Sequence, residues 1–216
     1  MPFTKINSKL IEAKVFSGQR IFSQRGSMIA YTGEVAFTPN LTGGQGGVMG
    51  MIGRRVANED VPLMTVEGQG TVLFGHGGHH IQIIELTGDT LNVEADRLLA
   101  FDGTLRQTTV FLGSQGGVMG MVRGQVSGQG LFTTQLSGQG SVAVMAHGGF
   151  VELPITPNQP VHVDPQAYVA HRGQVQNKLS TSVGWRDMVG RGSGEAFQLE
   201  LSGNGVVYVQ ASEEKL

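Results

Sequence analysis

Ser27-Met28-Ile29-Ala30-Tyr31-Thr32-Gly33 is the stretch that decides the fold, because the chain repeats it. It returns as Arg97-Leu98-Leu99-Ala100-Phe101-Asp102-Gly103, and again as Ala167-Tyr168-Val169-Ala170-His171-Arg172-Gly173. Alanine and glycine hold the same two places in all three copies, and each step is 70 residues. A fixed period of this length marks tandem structural units.

Working outward, the register persists on both sides. Upstream, Ile21, Leu91 and Val161 are equivalent, and Ser23, Val93 and Val163 follow two residues later, as one face of a strand requires. Gly18, Gly88 and Asn158 come just before, and read as tight turns. Downstream, Thr65-Val66-Glu67-Gly68-Gln69-Gly70-Thr71-Val72 matches Gln135-Leu136-Ser137-Gly138-Gln139-Gly140-Ser141-Val142. The third copy is Glu200-Leu201-Ser202-Gly203-Asn204-Gly205-Val206-Val207, which makes the last unit five residues shorter. The reading is a single domain of three units, approximately 1–80, 81–150 and 151–216.

Within each unit the apolar stretches are short and rich in β-branched residues, as at Thr71 to Phe74, Ile81 to Leu86 and Val206 to Val209. Such stretches are strands. Helix is plausible only briefly, around Met49 to Arg55 and Met119 to Arg123, and glycine weakens both. The expected fold is all-β: three tandem units, each a small antiparallel β-sandwich of about six to eight strands, packed around a pseudo-threefold axis.

Composition agrees. Glycine supplies 34 of 216 residues, about twice the usual share of ~7%, which suits a chain of turns and strands. Net charge is only −2, from 15 basic and 17 acidic side chains, and the longest basic run is Arg54-Arg55. Nucleic-acid binding depends on phosphate neutralisation, so it is disfavoured. The absence of cysteine excludes disulfides, cysteine nucleophiles and thiolate metal sites. With no secretory signal at Met1-Pro2-Phe3-Thr4-Lys5 and no membrane-spanning apolar run, a cytoplasmic location is expected.

The longest local identity is Gln45-Gly46-Gly47-Val48-Met49-Gly50-Met51, repeated as Gln115-Gly116-Gly117-Val118-Met119-Gly120-Met121. Glycine lets a backbone approach another surface closely, and methionine supplies an adaptable apolar contact. Gly46, Gly47, Val48, Met49 and Met51, with Gly116, Gly117, Val118, Met119 and Met121, therefore form a candidate interaction surface. The competing reading packs the two copies against each other in the core, since exposed apolar loops are costly. The third unit carries Leu179-Ser180-Thr181-Ser182-Val183-Gly184-Trp185 instead, so such a surface would be asymmetric.

These segments, with Gly43-Gly44 before them, Gly26-Ser27-Met28 upstream and Gly68-x-Gly70 downstream, resemble the altered inheritance of mitochondria protein twenty-four family. The resemblance extends over most of the chain. It implies a double-stranded β-helix-like arrangement, shared with the tryptophan RNA-binding attenuation protein superfamily. It brings no catalytic residues to carry over. The start of the chain is neither arginine-rich nor amphipathic, so a bacterial relative fits better than a mitochondrial one.

The remaining chemistry is sparse. His76-Gly77-Gly78-His79-His80 and His147-Gly148-Gly149 suggest a metal tract. Adjacent histidines on a strand face opposite sides, and Phe150 stands where another ligand is wanted, so ordinary loop histidines and no metal are expected. Glu94 and Asp96 lie near turns, and no serine forms a nucleophile elbow. The Gly-x-Gly pairs lack a βαβ setting and mark β-bulges or close strand crossings instead of a dinucleotide site.

The functional expectation is a non-enzymatic, cofactor-free interaction or scaffolding protein that binds a protein partner or itself, with peripheral membrane contact as a variant. A small-molecule-binding β-helix protein is the alternative. RNA binding by superfamily analogy comes third.

Overall fold

Alternating and β-branched segments give thirteen strands and one short turn of 3-10 helix in a computed structural model that describes residues 1–40, 63–111, 132–180 and 198–212. The strands are β1 (Phe3–Asn7), β2 (Leu10–Val15), β3 (Ile21–Gln24), β4 (Met28–Pro39), β5 (Leu63–Phe74), β6 (His80–Glu94) and β7 (Leu98–Asp102). They continue as β8 (Arg106–Phe111), β9 (Phe132–Ala146), β10 (Phe150–Ile155), β11 (Val161–Val163), β12 (Tyr168–Ser180) and β13 (Gln198–Gln210). The protein is all-β, and hydrogen bonding joins every strand into one 13-stranded antiparallel sheet.

Among the described residues the strands are longer than the glycine punctuation predicts. Gly88 does not close a turn: β6 runs through it, with a shift in register between Thr87 and Thr90. Its φ of 107° is the mark of a bulge, where glycine relieves strain while the strand continues. Gly18, by contrast, sits in a turn between β2 and β3, with φ of 83°.

Three hairpins dominate. β4 pairs β5 from Met28↔Phe74 to Pro39↔Met64; β12 pairs β13 from Tyr168↔Val209 to Ser180↔Gln198. In the middle of the chain β7 and β8 share the partner β9. Each hairpin shifts register at one equivalent place: between Met28 and Ala30, between Leu98 and Ala100, and between Tyr168 and Ala170. The alanine kept in the sequence is thus the residue that follows the bulge.

Two seams bind one hairpin to the strand preceding the next. At the first, Ile21, Phe22 and Ser23 of β3 pair Asp102, Phe101 and Ala100 of β7. At the second, Leu91, Asn92 and Val93 of β6 pair Arg172, His171 and Ala170 of β12. The two registers are equivalent under a shift of 70 residues.

Packing follows the seams. One apolar cluster places Phe3, Ile11 and Ile21 against Ile81, Leu99 and Met145; the central cluster holds Leu86, Leu91, Phe101, Leu136 and Val169. A third contains Ile155, Val163, Tyr168, Leu199 and Leu201. Phe101 is fully buried and stacks on Phe22 with ring centroids 5.1 Å apart. Full burial of one such side chain contributes roughly 2–3 kcal/mol.

Candidate functional site

Tyr31, Phe101 and His171 stand at successive steps of 70 residues in the sequence, and their surroundings diverge. Phe101 and His171 lie within the two seams and are buried. His171 is held from below: the Tyr168 hydroxyl, also buried, lies 2.7 Å from its Nδ1 and donates to the Asn92 carbonyl at 3.1 Å. One hydroxyl has one proton, so His171 donates from Nδ1 and the Tyr168 oxygen accepts. Burial lowers the His171 pKa to about 4, and burial also raises the Tyr168 hydroxyl well above its usual range. Both groups are neutral at physiological pH.

Beside this buried network, Arg172 donates from Nε to Asp89 Oδ2 at 2.9 Å. Partial burial alone would raise the Asp89 carboxyl, but the Thr87 N–H and the Arg172 guanidinium outweigh it and hold the pKa below its ordinary value. Both side chains remain partly exposed, so screening keeps the pair weak. Arg172→Gln should therefore cost no more than about 1 kcal/mol in urea unfolding. A loss several times larger would mean that the pair is a structural pin.

A cleft of about 650 Å³ opens above the second seam, lined by Thr90, Asn92, Gln135, Gln174, Gln176 and Ser202 among others. Its polar groups are neutral amides and hydroxyls. Gln135 already donates to Asn92 Oδ1 at 3.2 Å.

The histidine tract spans the turn between β5 and β6 and ends on the first residue of β6, His80. His79 lies in the turn, outside β6, and its Nδ1 is 2.9 Å from the His76 carbonyl oxygen. Its ring centroid is 6.4 Å from that of His76 and 6.0 Å from that of His147, so the tertiary fold gathers three histidines from two distant stretches of the sequence. Burial first, then the nearby His147, His76 and Arg97, keep the His79 pKa below its ordinary value. His147 is tied by Ser212 Oγ at 3.0 Å from its Nδ1. Among the described residues no group of three His, Cys, Asp or Glu side chains is arranged to hold a metal.

The ten glycine, valine and methionine residues of the candidate interaction surface, Gly46 to Met51 and Gly116 to Met121, lie outside the described residues. Among the described residues the structure exposes apolar side chains in the N-terminal part of the chain. Phe16, Met28, Ile29 and Tyr31 are exposed, Ile29 by 58% and Tyr31 by 49%. At the 70-residue spacing, the counterparts of Ile29 (Leu99 and Val169) and of Tyr31 (Phe101 and His171) are buried. In the sequence Ile29, Tyr31 and His171 mark the 70-residue similarity, and none stands out as a site residue. The available signal was chemical divergence at one repeat position: tyrosine, phenylalanine and histidine in register.

Comparison with known proteins places these features. The sequence matches the family described as Mitochondrial biogenesis AIM24 over residues 3–212. No curated protein sequence matches it. Among solved structures, a crystal structure of a Streptococcus pyogenes protein superposes with a TM-score of 0.72 at 20% sequence identity. The match covers 97% of this chain and 92% of that one, and shows a shared fold. Among the described residues no helix is long and apolar enough to cross a membrane.

Proposed function

From the chain's place in the AIM24 family, to which it belongs by a match over residues 3–212, we propose that it is a non-enzymatic interaction or scaffolding protein. The proposed architecture is one domain of three tandem units, approximately 1–80, 81–150 and 151–216. The equivalent bulges of the three hairpins and the equivalent register of the two seams support it. Closure about a pseudo-threefold axis would require a third seam, between β11 and β4. A cytoplasmic setting belongs to the same proposal.

The observation that carries the functional reading is the exposed apolar group Phe16, Met28, Ile29 and Tyr31. Met28, Ile29 and Tyr31 each have both counterparts at the 70-residue spacing buried, and apolar side chains left in water in this way mark a surface awaiting a partner. The test is affinity capture of the tagged chain from its own cells, run beside an Ile29→Lys/Tyr31→Lys variant checked for folding by circular dichroism. Specific enrichment of a protein, untagged copies of this chain included, that the folded variant loses supports the reading. Enrichment of nothing by the native chain would sink it.

A second reading, small-molecule binding, draws on the cleft lined by Asn92, Gln135, Gln174 and Gln176. Neutral amides there suit an uncharged, hydroxyl-rich ligand. Calorimetric titration with a panel of neutral sugars, showing no heat at millimolar concentration, would dispose of it.

A further inference from the structure

Among the described residues the sheet is built by a rule applied twice and then left incomplete at both ends. Each hairpin offers its first strand to the three-residue segment that precedes the hairpin before it in the repeat. Residues 21–23 of β3 take β7, and residues 91–93 of β6 take β12. By the same rule, residues 161–163 should take a strand like residues 30–32. Among the described residues, β11 pairs only β13, and β4 pairs only β5. Among the described residues there is thus one unmatched giver and one unmatched taker.

We propose that a second copy of this chain fills both edges, with β11 of one copy pairing β4 of the next in the register of the internal seams. Val161 then faces Thr32, His162 faces Tyr31, and Val163 faces Ala30. The inference rests on the interaction reading above and names its partner.

Burial makes the case quantitative. Ala100 and Ala170 are fully buried, as are Leu99 and Val169, while Ala30 and Ile29 are exposed. The difference is not in residue type, since all are small or apolar. It lies in the missing neighbour. The side chain opposite is exposed too: His162 stands where Asn92 is buried, and Val161 is only half-buried where Leu91 is fully buried. An aromatic pair, His162 on Tyr31, would occupy the place of the Phe22–Phe101 stack.

The outer edges differ in how they are guarded. β1 carries Lys5, and β10 carries Glu152 and Pro154, the residues by which natural sheets discourage edge pairing. Met28 to Gly33 of β4 has no charge and no proline. An unguarded edge bearing exposed isoleucine and tyrosine is the edge that accepts a strand. Because giver and taker are different surfaces, the contact is head-to-tail, and it builds either a closed ring or an extended array.

The chain has no cysteine, which makes the test direct. Full-length Tyr31→Cys and His162→Cys chains are prepared separately; both positions are exposed, so the fold should tolerate them. Mixed under mild oxidation, they should give a disulfide-linked dimer at least tenfold more abundant than Lys9→Cys mixed with His162→Cys. Light scattering of the native chain should show species larger than the monomer, and Ile29→Lys/Tyr31→Lys should return it to monomer. A mixture that cross-links no better than the Lys9→Cys control overturns the proposal. So does a Tyr31→Cys/His162→Cys double variant that cross-links only within one chain, which would show the ring closing internally. If self-association fails while capture still recovers another protein, the interaction reading stands and the self-pairing edge falls.

Discussion

Gly203→Ala should destabilise the protein by about 4 kcal/mol, the sum of backbone strain and overpacking that each cost roughly 1–3 kcal/mol. Gly203 has φ of 118°, a conformation that side chains rarely adopt. A Cβ there would overlap the Gln174 carbonyl oxygen and meet Val175 Cα at 3.4 Å. Both obstacles are backbone of the paired strand β12, which cannot rotate away. The equivalent glycine of the middle repeat should behave differently. Gly138 has φ of 121°, yet its Cβ would find nothing nearer than Leu105 Cδ2 at 3.6 Å. The strand facing it is broken there, between β7 and β8, where Thr104 Oγ1 instead donates to the Gln139 carbonyl oxygen at 2.9 Å. Gly138→Ala should therefore cost strain alone, about 1–3 kcal/mol. Urea unfolding of the two variants decides the matter. Equal losses would mean that φ alone, and not strand contact, keeps these glycines.

The second large effect is acid destabilisation through His171. In the unfolded chain an imidazole takes up a proton below pH ~6.5. In the folded chain, burial delays that until about pH 4. Between those values the unfolded state binds more protons, so stability rises with pH through the window and is lost on acidification. A shift of this size amounts to roughly 3 kcal/mol, fully present above pH ~6.5 and gone near pH 4. His171→Phe tests it, because phenylalanine already fills the same position as Phe101 and the Tyr168 hydroxyl keeps its bond to Asn92. Carboxylates will destabilise both proteins in acid, so the measured quantity is the difference between their stability–pH curves. The native protein should lose about 3 kcal/mol more than the variant between pH 7 and 4. Parallel curves would remove His171 as the cause.

Both effects arise at positions the sequence marks as repeated, and in both the repeat alone predicts the wrong equality. The three Gly-x-Gly pairs look alike in the sequence, and their reading as bulges or close crossings agrees with Gly33↔Gly70 and Gly173↔Gly205 facing each other across two hairpins. That the middle pair has room depends on a strand break at residues 103–105, which a local motif cannot report. Gly88 shows the same limit: a positive φ is legible, but whether the chain turns or bulges depends on what pairs beside it.

By itself the sequence determined the strand-forming character of this protein, its family, the self-similarity at a spacing of 70 residues and the absence of thiol chemistry. These follow from side-chain periodicity, spacing and composition, which are local properties of a chain. Only the tertiary structure decided which of the residues 70 apart are buried, that His76, His79 and His147 meet, and that among the described residues β4 pairs β5 alone. Burial and edge exposure depend on which strands come to lie side by side, so Tyr31, Phe101 and His171 can share a place in the repeat and still have different surroundings.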